Sequence, residues 1–136
     1  MAGAAHDAVL DELEQGAFSA SLRLKIEARA EGDVMVRMPF GEAILNAGGP
    51  GVPIHGGAIA ALADFAACAA VWTMPQTRSS ATISMTVNYT APAVKTDLVA
   101  RARVRRSGKR IASIAVEIRD QQAALIADAL VTYKIA

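Results

Sequence analysis

One carboxylate lies in a segment of the sequence that is otherwise almost entirely apolar. The segment HGGAIAALADFAA covers residues 55–67 and consists mainly of Ala, Gly, Ile and Leu, with Asp64 as its one acidic residue. Because a buried charge without a partner is costly, Asp64 should be neutral, paired, on a free face or kept for chemistry. A carboxylate in such a setting can attack an electrophilic carbon itself or activate a water molecule as a general base. Asp64 is therefore the first candidate for a catalytic residue.

The residues around Asp64 are predicted to form a long helix that other elements must surround. Residues 58–73 span about four helical turns, and they are apolar on almost every side. A helix that is hydrophobic all round has no face to leave in water. A loop rich in Gly and Pro, NAGGPGVPIHGG, leads into it.

Alternation of polar and apolar residues predicts strands on both sides of this helix. A short helix over residues 7–16 precedes them, and the turns EGD, SGK and DQQ separate neighbouring strands. The predicted strands cover residues 18–30, 34–38, 81–89, 97–106, 110–119 and 123–133.

One antiparallel sheet curled around one central helix would bury every apolar face in this set of elements. The sequence therefore predicts an α+β fold, the hot-dog arrangement. The chain has 136 residues, of which 53% are hydrophobic and 20% charged. This length and balance suit a globular protein with one core, so we expect a single domain over residues 1–136.

The N-terminus and the cysteine content favour a cytoplasmic protein. The stretch MAGAAHDAVLDELEQGAF is acidic and lacks the basic region of a signal peptide. No apolar run reaches the ~18 uncharged residues of a membrane span, because Asp64 interrupts the best candidate. Cys68 is the one cysteine, so an internal disulfide is impossible. We therefore expect a cytoplasmic location and no membrane partner.

Charge is distributed unevenly along the chain although the formal net charge is only +1. Residues 1–90 contain 5 Lys/Arg and 9 Asp/Glu, whereas residues 91–136 contain 9 and 4. Four cations crowd one predicted turn, RRSGKR, which we name the basic turn: Arg105, Arg106, Lys109 and Arg110. Such a cluster can be a solvated hairpin end or a site for phosphate groups.

Several of these segments together resemble a known enzyme family. HGGAIAALAD resembles the His-Gly-Gly…Asp segment of the PaaI-type acyl-CoA thioesterases of the phenylacetate pathway, which have the hot-dog fold of the 4-hydroxybenzoyl-CoA thioesterase superfamily. TISMTVNYTAPA resembles the strand that follows their helix, and the basic turn resembles their next turn. The resemblance implies hydrolysis of an acyl-CoA thioester to a free acid and CoA. It also implies no metal or bound cofactor, and a homodimer with joined sheets or a dimer of dimers.

This resemblance implies roles for both ends of the apolar segment. Free N–H groups at a helix start can stabilise the negative charge that develops on a thioester oxygen. Gly57 would let the carbonyl approach closely, Gly56 shapes the same turn, and Asp64 would be the nucleophile or the general base. Gly57 and Asp64 are about 10 Å apart along a helix, whereas a hydrogen bond reaches about 3 Å. If both act on one carbonyl, two chains must contribute to the site.

Other residues are candidates because of the same resemblance. His55 could act as an acid or base, although its ring is better suited to pinning the loop. Thr82 occupies a strand position where some relatives carry a hydroxyl that positions water. Asn46 resembles an Asn that some relatives aim at the thioester, but the loop between Asn46 and His55 is longer here. The basic turn could meet the phosphates of CoA, and Cys68 is expected to be a small core residue.

Two other functions stay open at this point. A hot-dog hydratase or dehydratase acting on a 3-hydroxyacyl or enoyl thioester would want a His paired with a carboxylate. A non-catalytic acyl-CoA binding module would need neither. The two His and one Cys are too scattered for a metal site, and no Gly-Lys-Ser/Thr follows the glycine-rich loop. Few aromatic residues and no recognised motif argue against a nucleic-acid partner.

Overall fold

The computed structural model describes the chain from residue 2 to residue 136, and its side chains from residue 6 onward. In this part of the chain one antiparallel sheet packs against one long helix, with two further helices near the N-terminus. The helices are α1 (Ala2–Gln15), α2 (Ala17–Ser21) and α3 (Gly56–Trp72), and a short 3-10 turn covers Glu42–Ile44. The strands are β1 (Lys25–Ala30), β2 (Asp33–Met38), β3 (Ala81–Tyr89), β4 (Leu98–Ser107), β5 (Ile111–Arg119) and β6 (Leu125–Lys134).

The six strands form one sheet in the order β1-β2-β4-β5-β6-β3. All neighbouring strands are antiparallel, and tight turns join β1 to β2, β4 to β5 and β5 to β6. Strand β3 follows α3 in the chain. It pairs with β6 alone in this sheet, so it lies at one edge, and β1 lies at the other. The predicted α+β hot-dog fold is confirmed.

Helix α3 forms the centre of the hydrophobic core. Most of its side chains are buried, and Leu62, Ala63 and Ala66 have no exposed surface. It packs on strands across the sheet, β4 and β5 above all. Replacing a fully buried residue such as Leu62 by Ala typically costs about 2–5 kcal/mol of stability. The helix begins two residues before the predicted start. No helix among residues 2–136 is long and apolar enough to cross a membrane.

The segment before β1 differs from its sequence prediction. Residues 18–30 alternate as a strand does, but their first part is the end of α2 followed by a turn. Arg23 in this turn has a φ of 56°, in the left-handed region. Leu22 and Leu24 are nevertheless buried, at 9% and 4% exposure. Two apolar residues spaced by two can thus reach the core from a turn, so the prediction of a strand over residues 18–24 is wrong.

Strand β3 is an edge strand with a largely exposed surface. Ile83 and Tyr89 are 54% and 53% exposed. A bulge lies between Thr82 and Ser84, where Ile83 is an extra residue relative to β6. The free edge of such a strand carries backbone groups that can pair with another chain.

Candidate active site

Asp64 is bound by two hydroxyl groups. Its side chain is half-buried midway along α3. Thr82 Oγ1 on β3 donates to Asp64 Oδ1 at 2.8 Å, and Tyr133 Oη on β6 donates to the same oxygen at 2.5 Å. Among the residues whose side chains are described, none hydrogen-bonds to Oδ2 and no cation pairs with the carboxylate. One carboxylate oxygen is therefore held while the other is available for chemistry.

Sequence reasoning missed Tyr133. Its hydroxyl lies beneath Asp64, and the residue is only 2% exposed. Burial raises the pKa of this hydroxyl, and the nearby Cys68 and the bond to Asp64 raise it further. Tyr133 therefore stays protonated and acts as a donor. The available signal was its spacing, because Tyr133 alternates with Val131 on the inner face of β6 and with the buried Ile135 that follows the strand.

A cleft of about 290 Å³ opens beside Asp64. Its walls come from α2, α3, β3 and β6 and from the ends of α1 and β1. It is lined by Leu13, Phe18, Ser19, Leu24, Ala61, Asp64, Phe65, Cys68, Ser80, Ala81, Thr82 and Tyr133. Phe18 on α2 is 67% exposed, which is unusual for a phenylalanine. The mainly apolar lining suits an apolar group attached to a carbonyl that reacts at Asp64.

His55 caps the start of α3. Its Nδ1 accepts a hydrogen bond from the N–H of Gly57 at 2.8 Å. A Cβ atom at Gly57 would lie 2.9 Å from this nitrogen, so a side chain there would displace the ring. The Gly57 N–H, the predicted oxyanion donor, is thus exposed but already bonded. A substrate oxygen would have to share this N–H with the imidazole or replace it.

Tyr89 supports the same turn from the edge strand. Its hydroxyl donates to the carbonyl oxygen of Gly56 at 2.8 Å. A Cβ atom at Gly56 would lie 3.5 Å from the Tyr89 ring, an ordinary contact. A second cleft, of about 400 Å³, adjoins this turn and is lined by Ile54, Gly56, Ile59, Tyr89, Thr90, Ala91, Pro92 and Ala93. Sequence reasoning missed this tyrosine as well.

The candidate residues fall into two groups along α3. Gly57 with His55 lies at its start, and Asp64 lies seven residues further on, about 10 Å along the axis. Strand β3 touches both groups, since Thr82 bonds to Asp64 and Tyr89 bonds to the turn at the helix start. Within one chain the two groups cannot contact the same carbonyl.

Asn46 lies in the first of these two groups. The bridge between Leu45 and Ile54 places it beside the residues that enter α3, and its own N–H donates to the Pro53 carbonyl at 3.4 Å. Its exposed side chain has no hydrogen-bond partner among the described residues. The structure therefore brings Asn46 to the end of α3 where Gly57 lies and not to the Asp64 of its own chain.

The basic turn lies at the Asp64 end of the sheet. All four of its cations are exposed, and none pairs with a carboxylate among the described side chains. The register places Ile111, at the start of β5, beside Lys134, which in turn pairs with Ala81. Arg78 joins this end through its N–H, which donates to the Ile135 carbonyl. The basic turn thus has two further cations near it, which the sequence alone did not connect.

Cys68 is partly buried beside Asp64 and contacts Ser80. Cys68 Sγ lies 3.7 Å from Ser80 Oγ, which also accepts a bond from Trp72 Nε1 at 2.9 Å. Burial raises the pKa of the Cys68 thiol, so it is a poor nucleophile. Within the described part of the chain, no three His, Cys, Asp or Glu residues are grouped to hold a metal ion.

Comparison with known proteins places this arrangement in one family. The sequence model of the thioesterase superfamily matches residues 54–127, a range that contains His55, Gly57, Asp64, Thr82 and Tyr89 but neither Asn46 nor Tyr133. A Halobacterium salinarum protein named as an esterase is 34% identical over 93 residues, which cover 66% of this chain and 61% of that protein.

Solved structures share the fold over most of the chain. The N33D mutant of the phenylacetic acid degradation protein PaaI from Thermus thermophilus is 27% identical, with a TM-score of 0.77 over 88% of this chain and 98% of that one. E. coli PaaI has a TM-score of 0.85 at 24% identity, covering 99% and 94% of the two chains. A hypothetical thioesterase from Streptococcus pneumoniae, solved with coenzyme A, has a TM-score of 0.82 at 20% identity, covering 93% and 96%. Because the family model matches more than half of its residues, the chain belongs to the thioesterase superfamily.

Proposed function

We propose that the protein hydrolyses acyl-CoA thioesters to a free acid and CoA. The observation that carries this proposal is the carboxylate of Asp64, which is held at Oδ1 by two hydroxyls, free at Oδ2 and beside a mainly apolar cleft. Membership of the thioesterase superfamily supports the same reaction.

Asp64 can drive the hydrolysis by either of two routes. As a general base it takes a proton from a water molecule while the water oxygen bonds to the thioester carbon. As a nucleophile its Oδ2 bonds to that carbon first, and water then hydrolyses the resulting anhydride. In both routes the C–S bond breaks and the CoA thiolate leaves and takes up a proton. The Gly57 N–H donates a hydrogen bond to the carbonyl oxygen in place of its bond to His55, and it stabilises the negative charge that develops there.

The two halves of the site come from two chains in this proposal. If β3 pairs with β3 of a second copy in antiparallel fashion, two-fold symmetry places one residue opposite itself. Centring the pair on Thr86 puts Tyr89 of each chain opposite the bulge that contains Thr82 and Ile83 of the other. The Asp64 side of one chain then faces the Gly56–Gly57 turn of its partner, which removes the distance problem.

A cross-link tests this pairing. With Cys68 replaced by Ala, Thr86→Cys should form a disulfide-linked dimer on mild oxidation, since paired residues lie about 4.5–5.5 Å apart at Cα. Ser113→Cys, on the internal strand β5, serves as the control and should stay monomeric on a denaturing gel. If the Thr86→Cys variant cross-links no better than this control, the pairing centred on Thr86 is wrong.

The basic turn completes the proposal as the binding site for CoA phosphates. Its four cations are exposed, lack carboxylate partners and lie at the Asp64 end of the sheet. The coenzyme A in the structurally similar Streptococcus pneumoniae protein supports a CoA ligand here. Arginine and lysine bind phosphate groups by charge-assisted hydrogen bonds.

One assay separates this function from its alternatives. A panel of acyl-CoAs, including enoyl-CoAs, is incubated with the protein and a thiol reagent. Release of thiol that is lost in Asp64→Asn supports the thioesterase. Loss of enoyl absorbance without thiol would indicate a hydratase, and tight binding with neither change would indicate a binding module. Within one chain no described imidazole pairs with Asp64, so the assay decides between the thioesterase and the hydratase.

A further inference from the structure

The hydroxyl group of Tyr133 is not needed for packing. Tyr133 is 2% exposed on β6, an internal strand between β5 and β3. Its two nearest acceptors both belong to Asp64: Oδ1 at 2.5 Å and the backbone carbonyl oxygen at 3.0 Å. A buried hydroxyl is costly unless it is hydrogen-bonded, and phenylalanine would fill nearly the same space. We therefore attribute the presence of a hydroxyl group at this position to its hydrogen bonding with Asp64.

The hydroxyl carries one hydrogen, so it makes one full hydrogen bond at a time. The carboxylate is the stronger acceptor of the two, and the shorter distance is to Oδ1, as expected for a charge-assisted bond. Since burial keeps the phenol protonated, this donor is present throughout the working pH range. The bond from Tyr133 therefore fixes Oδ1, whereas Oδ2 has no hydrogen-bond partner among the described side chains.

Thr82 cannot replace this contact. It also donates to Oδ1, but it lies next to a bulge on the last strand of the sheet, where the backbone register is irregular. Tyr133 lies on a strand that is paired on both sides, between the buried Val131 on the same face and the buried Ile135 just after the strand ends. Of the two donors, Tyr133 is the one whose position the core fixes.

We propose that Tyr133 is a positioning residue. It holds the Asp64 carboxylate in one orientation, so that Oδ2 stays available to the thioester carbon or to the attacking water molecule. This inference rests on the thioesterase function proposed above. It assigns no contact between Tyr133 and the substrate. Tyr133 acts through Asp64, by limiting rotation of the carboxylate.

The kinetic test is Tyr133→Phe. We expect kcat for acyl-CoA hydrolysis to fall about 10-fold or more, as when a hydrogen bond to a charged group is lost, while KM changes little. Thr132→Val removes a hydroxyl from the neighbouring residue on the outer face of β6, and it is the matched control.

A second measurement needs no activity. The chain contains two tyrosines, so tyrosine labelled with ¹³C at Cζ gives two resonances, and Tyr133→Phe identifies which is which. Asp64→Asn should shift the Tyr133 resonance and leave that of Tyr89 in place. This readout reports whether the hydroxyl senses the carboxylate in solution.

The outcomes are distinguishable. A Tyr133 resonance that ignores Asp64→Asn overturns the inference whatever the activity. A shifted resonance with unchanged kcat in folded Tyr133→Phe overturns the positioning role alone and leaves the thioesterase function standing. If the wild type releases no thiol from any acyl-CoA, the proposed function fails and the positioning role fails with it. A shifted resonance together with a loss of kcat at nearly unchanged KM supports the proposal.

Discussion

Tyr89 donates its hydroxyl hydrogen to the carbonyl oxygen of Gly56 at 2.8 Å. This oxygen and the N–H of Gly57 belong to the same peptide group. Since chained hydrogen bonds polarise one another, a donor on the oxygen makes the N–H a stronger donor in turn. The edge strand therefore supports the proposed oxyanion donor through a single peptide plane.

Tyr89→Phe is expected to lower kcat by about 2- to 10-fold, the effect of one neutral hydrogen bond. The fold should be kept, because the ring is half exposed and its packing is unchanged. Steady-state kinetics with one acyl-CoA, alongside a thermal melt, measures both. A kcat equal to that of the wild type would mean that the Gly56–Gly57 peptide needs no support from the strand.

Asp64→Asn should keep the structure and remove the activity. The amide oxygen can still accept bonds from Thr82 and Tyr133, whereas an amide neither attacks a thioester nor takes a proton from water. We expect a loss of about 10²–10⁴-fold in kcat at nearly unchanged melting temperature, measured by thiol release. Turnover at the wild-type rate in this variant would remove Asp64 from the mechanism.

A mixture of two inactive variants should regain activity if two chains share each site. Asp64→Asn destroys one half. Gly57→Val destroys the other, because the added side chain fills the space in which a substrate carbonyl would approach the Gly57 N–H, and its Cβ would lie 2.9 Å from His55 Nδ1. In a mixed dimer both lesions fall in one site and the other site is intact. Random pairing after joint unfolding and refolding should restore about a quarter of wild-type activity. The control is each variant refolded alone, and a mixture that stays inactive although mixed dimers form argues for a site within one chain.

Replacing Arg106 and Lys109 by Ala should raise KM for CoA esters with little effect on kcat. Contacts to remote phosphates bind the ground state and the transition state alike. The increase of KM with salt should also become weaker, since fewer exposed charges take part. KM measured at two ionic strengths tests this, with Arg119→Ala, a cation paired with Glu117, as the control. An unchanged KM would indicate that the basic turn is a solvated hairpin end that does not bind CoA.

The buried hydroxyl group of Tyr133 should make the free energy of unfolding depend on pH in the alkaline range. Burial raises its pKa in the folded chain, whereas the unfolded chain loses this proton near pH ~10. The folded state then binds more protons than the unfolded state above that pH, so the free energy of unfolding falls as pH rises. The wild type should lose up to about 1.4 kcal/mol per pH unit more than Tyr133→Phe over this range. Urea unfolding of both proteins at several alkaline pH values measures the difference, and parallel curves would contradict it.

The fold could be predicted from the sequence because its signals are local and agree with one another. Helix α3 is apolar on all sides, and β4 and β5 alternate between polar and apolar residues and are joined by a short turn. The one clear error, at residues 18–24, arose where spacing by two occurs without a strand. Leu22 and Leu24 are buried through a turn with a left-handed Arg23, which alternation alone cannot distinguish from a strand.

The supporting residues of the site could not be predicted in the same way. Asp64 stands out because a carboxylate is unusual in an apolar helix. Gly57 stands out because it lies in a glycine pair at the start of that helix. Tyr133 and Tyr89 lie on strands where a tyrosine is unremarkable, and they meet α3 only through contacts between distant parts of the chain. The register that brings Arg78 and Lys134 to the basic turn is likewise a property of the folded sheet.

Because His55 caps α3, residue 55 affects both the stability of the protein and its turnover in the proposed mechanism. The same N–H of Gly57 secures the first turn of α3 and, in the proposed mechanism, is released to the substrate oxygen. A better capping residue at position 55, such as Asp or Ser, would strengthen the helix and hold that N–H more firmly. Heat tolerance and turnover would then select for different residues at this one position, as happens where a functional group also contributes to stability.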